Sequence, residues 1–311
     1  MIRKNFKNII KTSATATENG VNMALNFKSA FLFAAIAGIS ACGYVDSSNP
    51  TVNSSQVNTG IIYATFQVTS DESDHVYAHA QLTLERPPSL AQQEQTFVEL
   101  NGSDDLWLTN GSSVDSTSLS GDFFGDLSQL SESNTQFEPA TSSREAFYFI
   151  FDRVIINDFG TWYSASMPKT ESLDYTVSLL RGSEKTSADE SSVTLADAFS
   201  VITPLSSQEF SRTQDDMVVE WSNPDPNAHV EIELTLVCRD FARYTYTSPL
   251  QTSDTGLYTI PAGTLDADHL GGDCTGTVNI RKITLGEFDT RFYAGSVNGY
   301  QIRRSSFVSS E

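Results

Sequence analysis

Apolar and polar residues alternate with a period of two along most of the chain, the mark of strands. Over 76–84, Val76, Ala78, Ala80, Leu82 and Leu84 fall on one side, and Tyr77, His79, Gln81 and Thr83 fall on the other. That is a strand with one buried and one solvated face. Ile62, Ala64, Phe66 and Val68 make a second stripe of the same kind. Further strands are predicted over 96–100, 105–109, 146–156 and 173–180. Turn signals at Arg86-Pro87-Pro88, Asn101-Gly102, Asn110-Gly111 and Arg181-Gly182 separate them. The pattern resumes over 199–203, 217–221, 229–238, 243–247, 257–260, 277–284 and 297–307. Helical periodicity is confined to single turns near 90–94 and 127–130, and the supply of Thr, Val, Tyr and Phe favours strands throughout.

Short strands between regular turns predict an all-β body of two tandem antiparallel β-sandwiches, Ig-like in architecture, spanning 58–196 and 197–311. The boundary follows a polar, charge-bearing stretch over 182–192. No long Gly- or Pro-rich hinge separates the halves, so they are expected to touch. The run 110–145, rich in Ser, Asp and Gly, predicts weak edge strands and a long loop in which Phe123 and Phe124 pack. Cys238 is in phase with Val230, Ile232, Leu234 and Leu236, and Cys274 with Val278 and Ile280. Two inward-facing cysteines in one sandwich predict a Cys238–Cys274 disulfide. Trp221 precedes both cysteines, so the Cys-Trp-Cys order of antibody domains is not followed.

The N-terminus carries a different message. Arg3, Lys4, Lys7, Lys11 and Lys28 lead into an apolar core over 30–39, and small residues then lead to Cys42. About ten apolar residues are too few to span a bilayer but suit the core of a signal peptide. Ile39-Ser40-Ala41-Cys42 resembles the lipobox of bacterial lipoproteins. The resemblance implies that residues 1–41 are a signal peptide, that the chain is cut before Cys42, and that Cys42 is the lipidation site, thioether-linked to diacylglycerol with its new amine acylated. Met23 is a second candidate start, since 23–41 alone makes a compact signal. Gly43 stands where an Asp would retain an enterobacterial lipoprotein at the inner membrane, so the resemblance points to the outer membrane, with the body facing the periplasm or the cell surface. Residues 42–57 lack apolar periodicity and read as the lipidated Cys with a flexible tether, with a reach of roughly 20 Å.

Charge narrows the partners. Five of the 19 basic residues and one of the 39 acidic ones precede Cys42, leaving 14 against 38 beyond it, a net −24. Such a body repels nucleic acid and anionic lipid alike. The membrane is therefore expected as a partner only through the N-terminal acyl chains, and nucleic acid not at all. The acidity also suits solubility in a salty habitat.

Catalytic patterns are sparse. Ser166-Met167-Pro168-Lys169 matches S-x-x-K, but Lys169-Thr170-Glu171 lacks the companion glycine and the surroundings are not helical. His75 and His79 share a strand face about 13 Å apart, too far for one metal ion, and read as solvated surface residues. Asp266, Asp268 and Asp273, with His269, come nearest to a calcium-binding loop. Their spacing fits no EF-hand or RTX repeat, so they read as a solvated acidic loop, with no metal site and no cofactor expected. Tyr244 and Tyr246 alternate with Arg243 and Thr245, and strand tyrosines of this kind pack more often than they stack on sugars. The expectation is a lipid-anchored, non-enzymatic envelope module for binding, adhesion or structure. Its layout resembles two-domain lipoproteins of Gram-negative envelopes to which no activity is attached. The alternatives are a carbohydrate-binding or glycan-active envelope protein, and an accessory lipoprotein of an outer-membrane assembly, with an envelope protein or a glycan as partner.

Overall fold

Side chains that alternate between apolar and polar force each segment to lie between a core and a second face, and nearly every predicted segment does so as a strand. The structure, a computed structural model, describes residues 50–86, 96–111, 134–140, 162–182, 185–239, 242–267 and 270–311. The signal peptide, Cys42, Phe123, Phe124, the predicted strand 146–156, Asp268 and His269 lie outside these residues. No helix among the described residues is long and apolar enough to cross a membrane.

Up to residue 196 the strands are β1 (Thr51–Asn53), β2 (Ile62–Ser70), β3 (His75–Leu84), β4 (Phe97–Glu99), β5 (Asp105–Asn110), β6 (Asn134–Gln136), β7 (Glu138–Ala140), β8 (Trp162–Pro168), β9 (Asp174–Leu180) and β10 (Ala188–Thr194). Beyond it come β11 (Val201–Thr203), β12 (Glu209–Ser211), β13 (Met217–Trp221), β14 (His229–Cys238), β15 (Arg243–Thr247), β16 (Leu257–Ile260), β17 (Cys274–Leu285) and β18 (Ala294–Ser310). Three sheets result. A large one runs β1-β4-β3-β2-β18-β17-β14-β15, with β8 on β3, β7 on β8 and β12 on β18. A second runs β10-β9-β5-β6 and a third β11-β13-β16.

Both small sheets pack on the same face of the large one. Over β2, β3 and β8, Phe66, Val68, Ala78, Leu82 and Met167 meet Leu106, Leu108, Val177 and Leu179 of the second sheet. Over β14 and β17, Ile232, Leu234, Leu236, Val278 and Ile280 meet Met217, Val219, Trp221 and Ile260 of the third. Sheet-on-sheet packing thus occurs twice, side by side.

The junction is β18. It pairs antiparallel with β17 from Asn298 to Ser309, and parallel with β2 from Ala294 to Gln301. Val297 and the preceding Phe292 belong to the first core, while Phe307 belongs to the second. Phe66, Phe288 and Phe292 form a ring cluster with centroids 5.3 to 6.1 Å apart, tying the connection between β17 and β18 to the first core. Two close approaches, one on β18 and one on β17 beside it, need glycine. An ideal Cβ on Gly295 would lie 1.9 Å from the Ala64 carbonyl oxygen, and one on Gly276 would lie 2.1 Å from the Phe307 ring. Ser48–Glu311 accordingly forms one compact unit.

Between the two cores the same face turns polar. Thr284, Gln301 and Arg303 donate to the carbonyls of Thr194, Ala196 and Phe199 at 2.7, 3.0 and 2.9 Å, fastening the chain that links the halves. Lys282 is fully buried beside Asp254, 2.8 Å away, with its ammonium 4.7 Å from the Phe199 ring centre. Lys282 also donates to the Asn223 carbonyl. Asp254 accepts from Trp221 Nε1 at 2.7 Å and from the backbone amides of Asp225 and Gly256 at 2.9 Å each. Every polar atom of this buried pair is engaged, which is what makes burial of two charges tolerable.

Several segments differ from expectation. The stretch 182–192, read as a polar separator, contains most of β10, because Ala188, Ser191 and Val193 are small or apolar enough to face inward. Its outward carboxylates pair across: Arg291 bridges Asp189, Asp289 and Glu190. The tether, expected to stay flexible through residue 57, is ordered earlier. β1 pairs in parallel with β4, and the Ser54 and Val57 carbonyls accept from Arg181 Nη2 at 2.6 and 3.0 Å and from Lys185 Nζ at 3.0 and 2.8 Å. Arg181 is held in turn by buried Asp104, 3.0 Å from its Nε. Ser166 lies in β8 and Lys169 just past its end, where the Lys169 ammonium donates to the Asp71 carbonyl.

Cys238 and Cys274 face each other directly across β14 and β17 and form the predicted disulfide. Arg212 Nη1 lies 3.2 Å from Cys274 Sγ and also reaches the Ser309 carbonyl. The bridge closes a loop with a sequence separation of 36, which restricts the unfolded chain by about 3–4 kcal/mol. The double variant Cys238→Ala/Cys274→Ala is expected to lose that much stability, read from urea unfolding midpoints at constant slope. Asp254→Ala strands the Lys282 ammonium in the interior and is expected to cost about 3–5 kcal/mol in the same measurement.

Candidate binding face

Since the cores occupy one face of the large sheet, alternation sends the other half of the residues to the opposite face. The register brings them into rows. One row crosses β14, β17, β18, β2, β3 and β8 as His229, Ile283, Tyr300, Thr69, Tyr77 and Ser166. Beside it run Asn298, Gln67, His79 and Ser164. On its other side lie Glu231, Arg281 and Ile302, then Thr247, Glu233, Asn279 and Arg304. Neighbouring rows are about 6.7 Å apart, and six strands span about 24 Å.

Much of this polar surface is not freely solvated. Gln67, Thr69, Gln81, Glu233, Thr235, Asn279 and Arg281 are each less than a tenth exposed. Tyr63, His79, Glu231, Asn298 and Tyr300 are half-buried around them, and Tyr77 and Arg304 are exposed. Several buried polar atoms here have no hydrogen-bond partner: Thr69 Oγ1, Thr235 Oγ1, Asn279 Oδ1 and Arg281 Nε. An unpaired buried donor or acceptor costs about 1–3 kcal/mol, so each of these atoms is a local cost to the fold, and they gather on one face.

The charges on the face balance. Arg281 reaches Glu231 at 3.0 Å and Glu233 at 3.5 Å, and Arg304 adds the second positive charge. Burial pushes the Tyr300 phenol above its ordinary value, with Arg281 pulling the other way, so it stays neutral. Burial likewise pushes the His79 imidazole below 6.5, favouring its neutral form. The surroundings are therefore dense in uncharged donors and acceptors, within a body that is strongly acidic overall.

The individually predicted sites lie elsewhere. Asp273 pairs with Arg239 at 3.1 Å on the surface, and Asp266 donates its backbone amide to the Gly263 carbonyl. Among the described residues no group of three His, Cys, Asp or Glu side chains is arranged to hold a metal ion. Tyr244 and Tyr246 pack against the second core, and the Tyr246 hydroxyl meets that of Tyr258 at 2.8 Å. Of the two histidines read as solvated, His75 is exposed but His79 is half-buried. The polar face is not legible in the sequence as a unit. Its polar stripes are visible in each strand, but only long-range pairing shows that they lie side by side.

Compared with known proteins, the chain matches no family description and no curated protein. Among solved structures, the crystal structure of CBD12 from CALX1.2 aligns at 7% identity over 78% of this chain and 100% of that one, with a TM-score of 0.15, a likeness too low to bear on fold or function.

The lowered value of His79 sets a pH dependence. The unfolded chain takes up this proton near pH 6.5 and the folded chain only at lower pH, so stability is full above about 6.5 and falls as the pH drops from there through the folded value. His79→Gln is expected to flatten that part of the stability profile. In the parent protein, NMR titration of the His79 ring is expected to show a midpoint below 6.5.

Proposed function

We propose that this chain is an exported lipoprotein, anchored through acyl chains on Cys42, whose body is a non-enzymatic binding module of the cell envelope. The observation that carries the reading is the Cys238–Cys274 disulfide, since such bridges form and persist outside the reducing cytosol. It agrees with the Ile39-Ser40-Ala41-Cys42 lipobox, which gives the chain an export route independent of anything in the body. The body is read as tandem Ig-like sandwiches fused through β18, held to the outer membrane by lipid alone because a net −24 beyond residue 41 is repelled by anionic headgroups. Binding rather than hydrolysis is supported by Arg281, which engages Glu231 at 3.0 Å and Glu233 at 3.5 Å together, so that both carboxylates are held in ion pairs within the fold.

Membrane fractionation tests the anchor. The parent chain is expected in the membrane pellet and Cys42→Ala in the soluble fraction, with intact mass showing a mature N-terminus at Cys42 bearing acyl chains. Recovery of the Cys42→Ala protein in the pellet to the same extent as the parent, or a parent chain with its leader intact and Cys42 unmodified, would falsify the reading.

A further inference from the structure

We propose that the polar face of the large sheet binds a neutral oligosaccharide, laid across β17, β18 and β2 over Asn279, Arg281, Tyr300 and Thr69. This rests on the reading of the body as a binding module and names its ligand class.

The argument is one of chemical matching. Asn279 Oδ1 is a buried acceptor without a donor, Thr69 Oγ1 is a buried hydroxyl without a partner, and Arg281 Nε is a buried donor without an acceptor. A ligand that satisfies them must present both kinds of group at close intervals, and a sugar hydroxyl is donor and acceptor at once. Tyr300 opposes Thr69 in the register, and its half-buried ring offers an amphipathic surface of the kind that packs on the C–H face of a pyranose. From Asn279 on β17 to Tyr300 on β18 is about 14 Å, so the engaged length exceeds one sugar ring.

Other ligand classes fit worse. An apolar ligand would leave the unpaired atoms stranded. An anion or cation finds no excess of opposite charge, because Arg281 and Arg304 offset Glu231 and Glu233. An extended peptide docks by adding a strand to a sheet edge, whereas this surface is the middle of a sheet whose main-chain groups are already paired. Nucleic acid is repelled by the acidity of the body.

The test is calorimetric titration of the full chain, purified in detergent, with neutral hexasaccharides of β-1,4-glucose, α-1,4-glucose, β-1,4-N-acetylglucosamine, β-1,4-xylose and α-1,6-mannose. At least one is expected to bind. Tyr300→Ala and Asn279→Ala are each expected to weaken it by about tenfold or more, Tyr300→Phe to keep most of the affinity, and Tyr293→Ala, at an exposed position off this face, to change nothing. Hydrogen exchange on the parent chain supplies a readout that does not depend on any variant folding: bound sugar is expected to slow exchange in β17 and β18. The proposal is overturned if no hexasaccharide binds, if binding survives both alanine changes in folded protein, or if protection falls away from these strands. An unmodified Cys42 would sink the lipoprotein reading while leaving this result standing, because the titration does not depend on where the protein is anchored.

Discussion

The structure depends on the hydrogen bonding of one strand. Ala294–Ser310 is long enough to pair with β17 along most of its length, with β2 along its first half and with β12 at its end. It joins strands from both halves of the chain in a single sheet, and its alternation feeds Val297 to one core and Phe307 to the other. The parallel pairing with β2 joins residues more than two hundred positions apart, so the first half of the chain completes its sheet only when the last strand arrives.

That weld explains the buried charges. Where two apolar cores meet on one sheet face, the linking chain between the halves must cross, and it brings backbone carbonyls that need donors. Thr284, Gln301 and Arg303 supply them, and the Lys282–Asp254 pair with Trp221 and Phe199 fills the remaining gap. The seam is polar because backbone crosses it, and it is stable because its charged atoms are paired.

The opposite face behaves differently. The cores take one side of the large sheet, so its other side collects threonines, glutamines, asparagines, tyrosines and two arginine–glutamate contacts, with Ile283 and Ile302 among them. A surface built only for solubility would expose these groups to water. Here several of them are buried, and some of their polar atoms have no partner. The proposed binding rests on that face and not on the sandwich packing, which serves unrelated purposes in many proteins.

Local pattern alone determined the strands and the bridge. Period-two stripes marked β2, β3, β14 and β17, and the phase of Cys238 and Cys274 against those stripes placed both sulfurs in the interior. Strands such as β10 and β12 were not legible, because Ala-Asp-Glu-Ser-Ser and Glu-Phe-Ser hold a strand by their neighbours and not by their own propensity. Tertiary structure decided which stripes share a surface. Period two sets Thr69 opposite the stripe of Phe66 and Val68, but only the parallel register of β2 on β18 makes Tyr300 its neighbour, and register across such a separation is set by the packing of both cores at once.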